Sequence, residues 1–392
     1  MLHVFPSFAV GGAQARTAAL MAAFGPEWSH TVVSLNGNVE ALRLVPSGVD
    51  VQCAEVVSKR SQFASPFEMA RLIRRLEPDL LLTYNWGAMD AVMGAQLARA
   101  CPVIHIEDGF GPDEATRLAA RRVITRRLLL NRIHLTIVPS RSLERIALEQ
   151  YRLRQERLQL ILNGIDTVRF SPGVHPALRR DLGIAQGQFV FGFVGQFRPE
   201  KNLPLLLRAF ADLDHPGSVL LLVGGGPLRA ELEGMARELC RPGSVIFTGP
   251  VAPTAPWYRA LDCLMLTSST EQMPIALLEG MASGLAAICT DVGDIRNMLS
   301  ARAPEVVPAA DHGALVRSMR LLLENTALRQ QIAHKNRSRA VTLYSADRMI
   351  AEHRLHYQKA IEGWRYRRGP VKESYHASQM RSACHHSHHS GA

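Results

Sequence analysis

The segment Glu271-Gln-Met-Pro-Ile-Ala-Leu-Leu-Glu279 decides the fold of this chain. An apolar run that ends in small hydroxyl residues, 264–270, precedes it, and a second apolar run, 286–293, follows it and ends in a glycine turn. A buried strand, a turn, a helix and another buried strand are typical of a parallel sheet. Glu271 falls in the turn and Glu279 on the helix. Both acids are therefore expected near the carboxyl edge of the sheet, where open α/β folds bind ligands.

The length and composition indicate a globular protein of two domains. A chain of 392 residues exceeds what one hydrophobic core usually holds. It is 47% hydrophobic and 20% charged, and no run approaches the roughly 20 apolar residues of a membrane span. The first residues lack the basic segment and long apolar core of a signal peptide, and the six cysteines have no metal-ligand spacing. These features predict a cytoplasmic protein with core thiols and no metal site.

Apolar strand candidates alternate with helical patterns along almost the whole chain. The predicted strands are 2–5, 31–35, 80–84, 103–106, 135–138 and 158–161, then 190–194, 219–223, 245–248, 263–267 and 287–289. Alternating strands and helices predict parallel sheets with helices on both faces. A turn-rich break at 163–172 divides the pattern. The predicted class is α/β with two Rossmann-like domains, 1–165 and 166–343, and the basic, His-rich segment 365–392 is predicted to be a disordered tail.

Three further segments follow predicted strands and carry glycine or positive charge. They are Gly11-Gly12, the stretch 195–202 and Gly224-Gly-Gly-Pro227. Glycines let a backbone approach a ligand closely, and helix N-termini bind anions. Arg198 and Lys201 favour a diphosphate ligand, because cations at a helix N-terminus are unfavourable unless an anion is bound.

The net charge of +10 predicts an anionic partner. Residues 117–132 contain six arginines and no acid, with apolar residues between them. A basic amphipathic helix of this kind is typical of a membrane surface, and an arginine face exposed to solvent is the alternative. Nucleic acid is not the predicted partner, because aromatic residues make up 6% of the chain and do not interleave with basic ones. The six arginines are Arg117, Arg121, Arg122, Arg126, Arg127 and Arg132.

Together these segments resemble the family 4 retaining glycosyltransferases of GT-B fold, over nearly the whole chain. The resemblance runs from Gly11-Gly12 through Leu162-Asn-Gly-Ile-Asp166 and Lys201 to the acid pair of 271–279. The spacing of that pair is specific, whereas the glycine turns alone are not. The resemblance implies two Rossmann-like domains facing a central cleft. The first would bind the acceptor and the second the nucleotide sugar, and the final helix, 344–364, would cross back to the first domain.

The resemblance also implies roles for individual residues. Glu279 would bind the ribose hydroxyls and Glu271 the donor sugar, while Lys201 would neutralise the leaving diphosphate. The N–H groups of Ile275 and Ala276 would hold that diphosphate. Catalysis would retain the anomeric configuration without a metal or a cofactor. Together with Arg198, which the charge pattern of 195–202 indicates, the predicted donor-binding residues are Gly12, Arg198, Lys201, Gly225, Ile275, Ala276 and Glu279.

The chain departs from the family pattern on the acceptor side. The family often has a histidine at the end of the fourth strand, where this chain has Val103-Ile-His105-Ile-Glu107-Asp108-Gly109. His105 lies one strand repeat before the expected place, which falls at Glu107 or Asp108. We predict His105 and Glu107 as acceptor-side residues and Asp108 as a catalytic one, together with Lys201 and Glu271.

The predicted function is that of a retaining hexosyltransferase in surface polysaccharide or lipopolysaccharide-type biosynthesis. The donor would be a UDP-, GDP- or ADP-sugar and the acceptor a glycan or a lipid-linked glycan, at the inner face of a membrane. Two alternatives stay open. A catalytically silent partner that binds nucleotide sugar is favoured by the displaced histidine and by Gln196, which stands where the family has an arginine. A nucleotide-sugar epimerase on the same fold agrees less well with the glycine turn at Gly224 and the spacing of the acids.

Overall fold

A computed structural model describes residues 1–55, 65–110, 118–300 and 304–368. Within these ranges the chain forms two parallel sheets, each covered by helices. The predicted α/β class with two Rossmann-like sheets is therefore confirmed. The boundary placed at 165/166 stays a prediction. Among the described residues, no helix combines the length and the apolar character that a membrane span requires.

The first sheet has seven strands and lies in the N-terminal half. The strands are β1 (Leu2–Phe5), β2 (His30–Ser34), β3 (Val51–Cys53), β4 (Leu81–Tyr84), β5 (Val103–Ile106), β6 (Leu135–Val138) and β7 (Leu158–Leu160). Their order is β3-β2-β1-β4-β5-β6-β7. The inner strands β1, β4, β5 and β6 are buried along their whole length, as expected when helices cover both faces of a parallel sheet.

The second sheet has six strands and repeats the same topology. The strands are β8 (Phe189–Val194), β9 (Ser218–Val223), β10 (Val245–Gly249), β11 (Cys263–Leu266), β12 (Ala286–Thr290) and β13 (Val306–Val307). Their order is β10-β9-β8-β11-β12-β13. The direction of winding reverses between β8 and β11. A crevice at the carboxyl ends of these two strands is the place where such sheets bind ligands.

Local sequence signals set the ends of several helices. The best example is the second helix, which begins at a capping box of Ser65 and Glu68 with Pro66 at its first position. The helices are α1 (Gly12–Phe24), α2 (Pro66–Leu76), α3 (Met89–Ala98), α4 (Ala120–Leu130), α5 (Arg141–Glu149), α6 (Pro176–Asp181), α7 (Leu203–Leu213), α8 (Arg229–Leu239), α9 (Ala255–Tyr258), α10 (Ile275–Ala282), α11 (Ile295–Leu299), α12 (His312–Glu324), α13 (Thr326–Leu343) and α14 (Ala346–Arg368).

The observed elements differ from the predicted ones at the sheet edges and at the last helix. The strands β3 and β13 were not predicted, because three and two residues are too few to show a periodic pattern. Helix α14 runs to Arg368, beyond the predicted end at 364, so residues 365–368 are helical rather than part of a tail. Arg365 Nη2 donates a hydrogen bond to Asp79 Oδ1 over 2.6 Å. The His-rich end of the predicted tail lies outside the described residues.

Helix α14 follows the second sheet in sequence but packs on the first. Met349, Tyr357 and Ala360 belong to the same buried cluster as Phe24 of α1. Arg354 Nη2 donates to the carbonyl of Ala23 over 2.7 Å. Residues of α2, α3 and α5 belong to the cluster on the other face of the first sheet. The C-terminal helix therefore covers one face of the N-terminal sheet.

The two halves are joined by Asp294, a buried residue in the turn after β12. Its Oδ2 accepts the N–H of Arg141 over 2.7 Å. Its Oδ1 accepts the N–H of Ser142 over 2.9 Å and the Ser142 hydroxyl over 2.8 Å. These donors form the N-terminus of α5, where the helix dipole stabilises a negative charge. A carboxylate of the second half thus caps a helix of the first.

We expect Asp294→Ala to loosen the junction between the halves. The change removes a charged acceptor from a buried helix end, which costs on the order of 2 kcal/mol. The thermal unfolding midpoint should fall, and the radius of gyration of the unliganded protein, measured by X-ray scattering, should increase.

Asp311→Ala is the matched control. Asp311 Oδ1 accepts the N–H of Ala314 over 2.8 Å at the start of α12, within the second half. This variant should lose stability without a change in scattering. An unchanged radius of gyration for Asp294→Ala would show that other contacts hold the halves together.

Candidate active site

The predicted donor-side residues follow three neighbouring strands of the second sheet. Lys201 lies after β8, Gly225 after β9 and Glu271 after β11. Because these strands are parallel neighbours in the order β9-β8-β11, the loops that follow them meet at one edge. The reversal of winding between β8 and β11 places a crevice at this edge of the sheet, where Lys201 and Glu271 lie.

Two glycines bring the loops at this edge into close contact. A Cβ at Gly224, whose φ is +135°, would lie 1.9 Å from the carbonyl oxygen of Gly195. A Cβ at Gly293, whose φ is +57°, would lie 2.2 Å from the carbonyl oxygen of Glu271. Glycine alone permits both the left-handed backbone and this approach. The loops after β8, β9, β11 and β12 are thus packed against one another.

Lys201 and Glu271 form an ion pair at the edge of the sheet. Lys201 Nζ donates to Glu271 Oε1 over 2.5 Å, and the hydroxyl of Ser268 donates to the same oxygen over 2.8 Å. The side chains are 24% and 11% exposed. An ammonium group has three N–H donors, so Lys201 can keep its bond to Glu271 and still bind an anion.

Glu279 lies one turn into α10 and is paired with Tyr258. The Tyr258 hydroxyl donates to Glu279 Oε2 over 2.5 Å. Burial raises the pKa of Glu279 to about 7, although the Tyr258 hydroxyl and the charge of Arg169 act in the opposite direction. Burial, together with the Glu279 charge, also raises the pKa of Tyr258. A carboxyl group whose pKa is raised by burial at a ligand-binding edge of a sheet is typical of a functional residue.

Two helix N-termini lie close together across the junction of the halves. Ile275 and Ala276 begin α10, and Gly12 begins α1. A Cβ at Gly12 would lie 3.3 Å from Ile275 Cγ1. The first N–H groups of a helix have no intrahelical acceptor and carry partial positive charge. The arrangement can therefore bind an anion from both sides.

Arg198 and Gln196 occupy the loop between β8 and Lys201. The Arg198 side chain is 52% exposed, and its nearest ion-pair partner, Glu200, lies 4.0 Å away. Gln196 Nε2 donates to the carbonyl of Val10 in the other half over 3.4 Å. Arg198 is therefore open to solvent, and its predicted contact with the donor stays a prediction.

His105 and Glu107 lie in the interior of the first half. Glu107 Oε2 accepts Arg126 Nε over 2.8 Å, and His105 Nε2 lies 3.5 Å from the same oxygen. Burial alone would raise the pKa of Glu107, but His105 and Arg126 together hold it below its ordinary value. The exposed fractions of the His105 and Glu107 side chains are 0% and 1%. In this structure they anchor the end of β5, and their contact with an acceptor stays a prediction.

Arg126 is not part of the exposed basic surface that the arginine window predicted. Its side chain is fully buried. The guanidinium carbon lies 5.0 Å from the ring centre of Trp86 and 5.2 Å from that of Tyr151. The predicted basic helix is correct for 120–130, but Arg126 points inward from it. Arg117 lies outside the described residues.

Asp108, by contrast, lies beside the loop that follows β11. Its Oδ1 lies 2.6 Å from Arg16 Nη1, and its Oδ2 accepts Arg16 Nη2 over 2.9 Å. A Cβ at the adjacent Gly109 would lie 3.0 Å from Gln272 Cγ. Of the three residues predicted on β5 and its loop, His105, Glu107 and Asp108, only Asp108 has a side chain that is more than 10% exposed.

Sequence reasoning gave no role to Tyr258, Ser268 or Arg16. Ser268 belongs to the hydroxyl-rich end of the strand before Glu271, which was a usable signal. Tyr258 and Arg16 contact their acids across long stretches of chain, and spacing gives no sign of such contacts. Within the described part of the chain, no group of three or more His, Cys, Asp or Glu side chains is placed to hold a metal ion.

Two family models match adjoining parts of the chain. The model described as Glycosyltransferase Family 4 matches residues 10–169, and the model described as Glycosyl transferases group 1 matches residues 174–339. These ranges contain the two sheets almost completely.

Curated relatives match over shorter stretches. The D-inositol 3-phosphate glycosyltransferase of Nocardia farcinica is 33% identical over 152 residues, which are 36% of this chain and 34% of the relative. The alpha-monoglucosyldiacylglycerol synthase of Streptococcus pneumoniae is 37% identical over 127 residues, which are 31% of this chain and 29% of the relative. The matched part thus spans about a third of the length of these relatives.

Among solved structures, HepE from Anabaena in complex with UDP and glucose superposes with a TM-score of 0.78. The match covers 92% of this chain and 100% of HepE at 19% identity. Similarity at this identity shows the fold.

We expect Glu279→Gln to stabilise the unliganded protein above pH 7. A carboxyl with a raised pKa contributes stability below its ordinary pKa of 4.5, and this contribution is lost as pH rises through about 7. Glutamine keeps the acceptor for Tyr258 without the buried charge. The gain should approach about 3 kcal/mol at pH 8 and vanish near pH 4.5.

Chemical unfolding of both proteins between pH 4.5 and pH 8 measures this difference. Glu231→Gln on the solvent side of α8 is the control and should change stability little at any pH. A Glu279→Gln protein less stable than the wild type at pH 8 would contradict the raised pKa.

Proposed function

Because the chain belongs to the family 4 glycosyltransferases of GT-B fold, we propose that it transfers a sugar from a nucleotide-sugar donor to a glycan or lipid-linked acceptor. The observation that carries this proposal is the arrangement at one sheet edge. Glu271 of the Lys201–Glu271 pair lies just before the N-terminus of α10 in the chain, and Glu279 of the Tyr258–Glu279 pair lies one turn into that helix. Gly12 at the start of α1 lies close to Ile275. The UDP and glucose bound to HepE support a nucleotide-sugar donor.

The donor would be held by three kinds of contact. The Glu279 carboxylate would accept hydrogen bonds from the two ribose hydroxyls. The N–H groups of Ile275 and Ala276 would donate to the diphosphate, which Gly12 lets approach from the other half. Glu271 would contact the donor sugar. At the same time it would hold Lys201 against the phosphate to which that sugar is bonded.

The reaction would proceed by breaking the bond between the anomeric carbon and the diphosphate oxygen. The acceptor hydroxyl oxygen forms the new bond on the same face, and its proton passes to the departing phosphate, so the anomeric configuration is retained. Negative charge develops on the diphosphate. Lys201 and the two helix N-termini stabilise that charge, which is the reason to propose a reaction that requires no metal. Asp108 would orient the acceptor.

The proposed setting is surface polysaccharide or lipopolysaccharide-type biosynthesis at the inner face of a membrane. The name of the streptococcal relative, a glucosyldiacylglycerol synthase, supports a lipid-linked acceptor. The exposed residues of helix α4 support the proposed contact with a membrane surface. Ile124 and Leu128, one turn apart, are 57% and 52% exposed. The exposed Arg121 and Arg127 flank them.

We expect UDP-, GDP- or ADP-glucose to be turned over in the presence of a chelator, and Lys201→Ala to lower that turnover by two orders of magnitude or more. Loss of one charged contact to the developing diphosphate costs roughly 3–4 kcal/mol. A coupled assay that monitors the release of nucleoside diphosphate measures both turnover rates.

Lys335→Ala is the matched control. Lys335 also pairs with an acid of the second half, Glu305, over 2.6 Å. Turnover of the Lys201→Ala protein within threefold of the wild type would refute the leaving-group role. Binding of a nucleotide sugar without any turnover by the wild type would indicate the silent partner instead.

We expect the protein to bind vesicles that contain ~30% anionic lipid at low salt and to be released at high salt. Each arginine near an anionic bilayer contributes about 1 kcal/mol within a Debye length. Replacing Arg121 and Arg127 by Gln, together with Ile124 and Leu128 by Ser, should abolish sedimentation with the vesicles.

A control surface lies on α14. There the exposed Leu355 and the half-exposed Arg348 can be replaced by Ser and Gln. This helix covers the opposite face of the first sheet, so the control variant should still bind. Equal binding by both variants, or none by the wild type, would refute a membrane contact through α4.

A further inference from the structure

A chain of buried polar groups runs from the donor-side loop into the first half. The backbone carbonyl of Met273, two residues after Glu271, accepts a hydrogen bond from Asn163 Nδ2 over 3.1 Å. Asn163 Oδ1 accepts Arg16 Nη1 over 2.8 Å. Arg16 in turn binds both carboxylate oxygens of Asp108. Four groups, from three separate stretches of the first half and one of the second, are thus linked without a gap.

The two middle members of this chain, Asn163 and Arg16, are shielded from solvent. Asn163 and Arg16 are 6% and 7% exposed, so water does not compete freely for their hydrogen bonds. The planar guanidinium presents its donors in a fixed fork. A shift of Asn163 relative to Arg16 therefore changes the direction in which Asp108 is held.

The position of Asn163 depends on the donor-side loop at two points. Besides the bond to the Met273 carbonyl, the Asn163 N–H contacts Met273 Sδ over 3.2 Å. Residues 271–274 connect the Lys201–Glu271 pair to the N-terminus of α10, where the proposed function places the diphosphate. A ligand that moves or orders this loop thus acts directly on Asn163.

We propose that Arg16 is a positioning residue that, through Asn163, ties the orientation of the Asp108 carboxylate to the state of the donor-side loop. The proposal rests on the proposed function, since it takes the loop to be the nucleotide site. It assigns to Arg16 a task in the transfer reaction without any contact to donor or acceptor. The acceptor-side acid would reach its working geometry when the loop is in its ligand-bound state.

The test uses UDP as the probe and hydrogen exchange of the segment 104–110 as the readout. In the wild type, UDP should slow exchange at the Asp108 N–H, which donates to Asn85 Oδ1 over 2.7 Å. Asn163→Asp keeps an acceptor for Arg16 but places an oxygen against the Met273 carbonyl. It should abolish the UDP-induced protection in this segment while UDP still binds.

Arg16→Lys keeps the positive charge but cannot bind Asn163 and both oxygens of Asp108 in the same fork. It should reduce the protection and weaken UDP binding about fivefold, the lower range of coupling between sites. The double variant should be no worse than Asn163→Asp alone, because both changes break one path.

Arg179→Lys is the matched control. Arg179 Nη2 lies 2.9 Å from Asp262 Oδ2 at the amino end of β11, on the side of the sheet away from the crevice. The control should keep both UDP affinity and the protection of 104–110. Thermal unfolding of every variant shows how much stability each change removes.

The outcomes separate this inference from the proposed function. If the wild type binds UDP and the protection of 104–110 is the same in all variants, Arg16 is structural and the inference is overturned. If the wild type binds none of UDP, ADP and GDP, the proposed function fails and the inference fails with it.

Discussion

The backbone of residues 271–274 is fixed from both halves of the molecule, and the geometry of the candidate site depends on this constraint. The carbonyl of Gln272 accepts the N–H of Asp294 over 2.8 Å, and that of Met273 accepts Asn163. Gly293 packs against the carbonyl of Glu271. Because these contacts reach the loop from both sides, the place of Glu271 and the start of α10 depend on residues of both halves. Once a ligand has ordered the loop, groups held in this way stabilise a charge without reorganising when it develops.

Buried charges in this protein serve two different ends. Glu107 and Arg126 satisfy each other in the interior, so their pair fixes the end of β5 and leaves no charge for a ligand. Glu279 accepts a hydrogen bond from the Tyr258 hydroxyl, and its described contacts include no cation within hydrogen-bond distance. Burial raises the pKa of Glu279. A protein that keeps such an acid gives up stability for it. This contrast separates a structural carboxylate from one suited to bind hydroxyl groups, although both are partly or wholly hidden from solvent.

Sequence patterns predicted most of the fold and the position of the proposed donor-side residues at one sheet edge, and they did so for local reasons. The run before Glu271 and the helix up to Glu279 are contiguous, so strand, turn and helix could be placed from one stretch. The edge strands Val51–Cys53 and Val306–Val307 were missed because they are short. On the acceptor side the roles of residues 105–108 stay predictions, and the sequence pattern did not show which of their side chains are buried. Their burial depends on Arg126 and Arg16, which reach the segment from two different helices and leave no trace in the local spacing.

The contacts of the buried and paired arginines change what the arginine content of the chain implies about its partners. Arg126 is buried, Arg16 pairs with Asp108, and Arg337 Nη1 donates to the carbonyls of Thr167, Phe170 and Ala282. A guanidinium with five donors can join backbone segments that have no other partner, so part of the arginine content is structural. The number of arginines therefore overstates the number of cations that are available to an anionic surface. What remains on α4 is a small exposed set beside Ile124 and Leu128, so the proposed attachment to a membrane would be reversible and sensitive to salt.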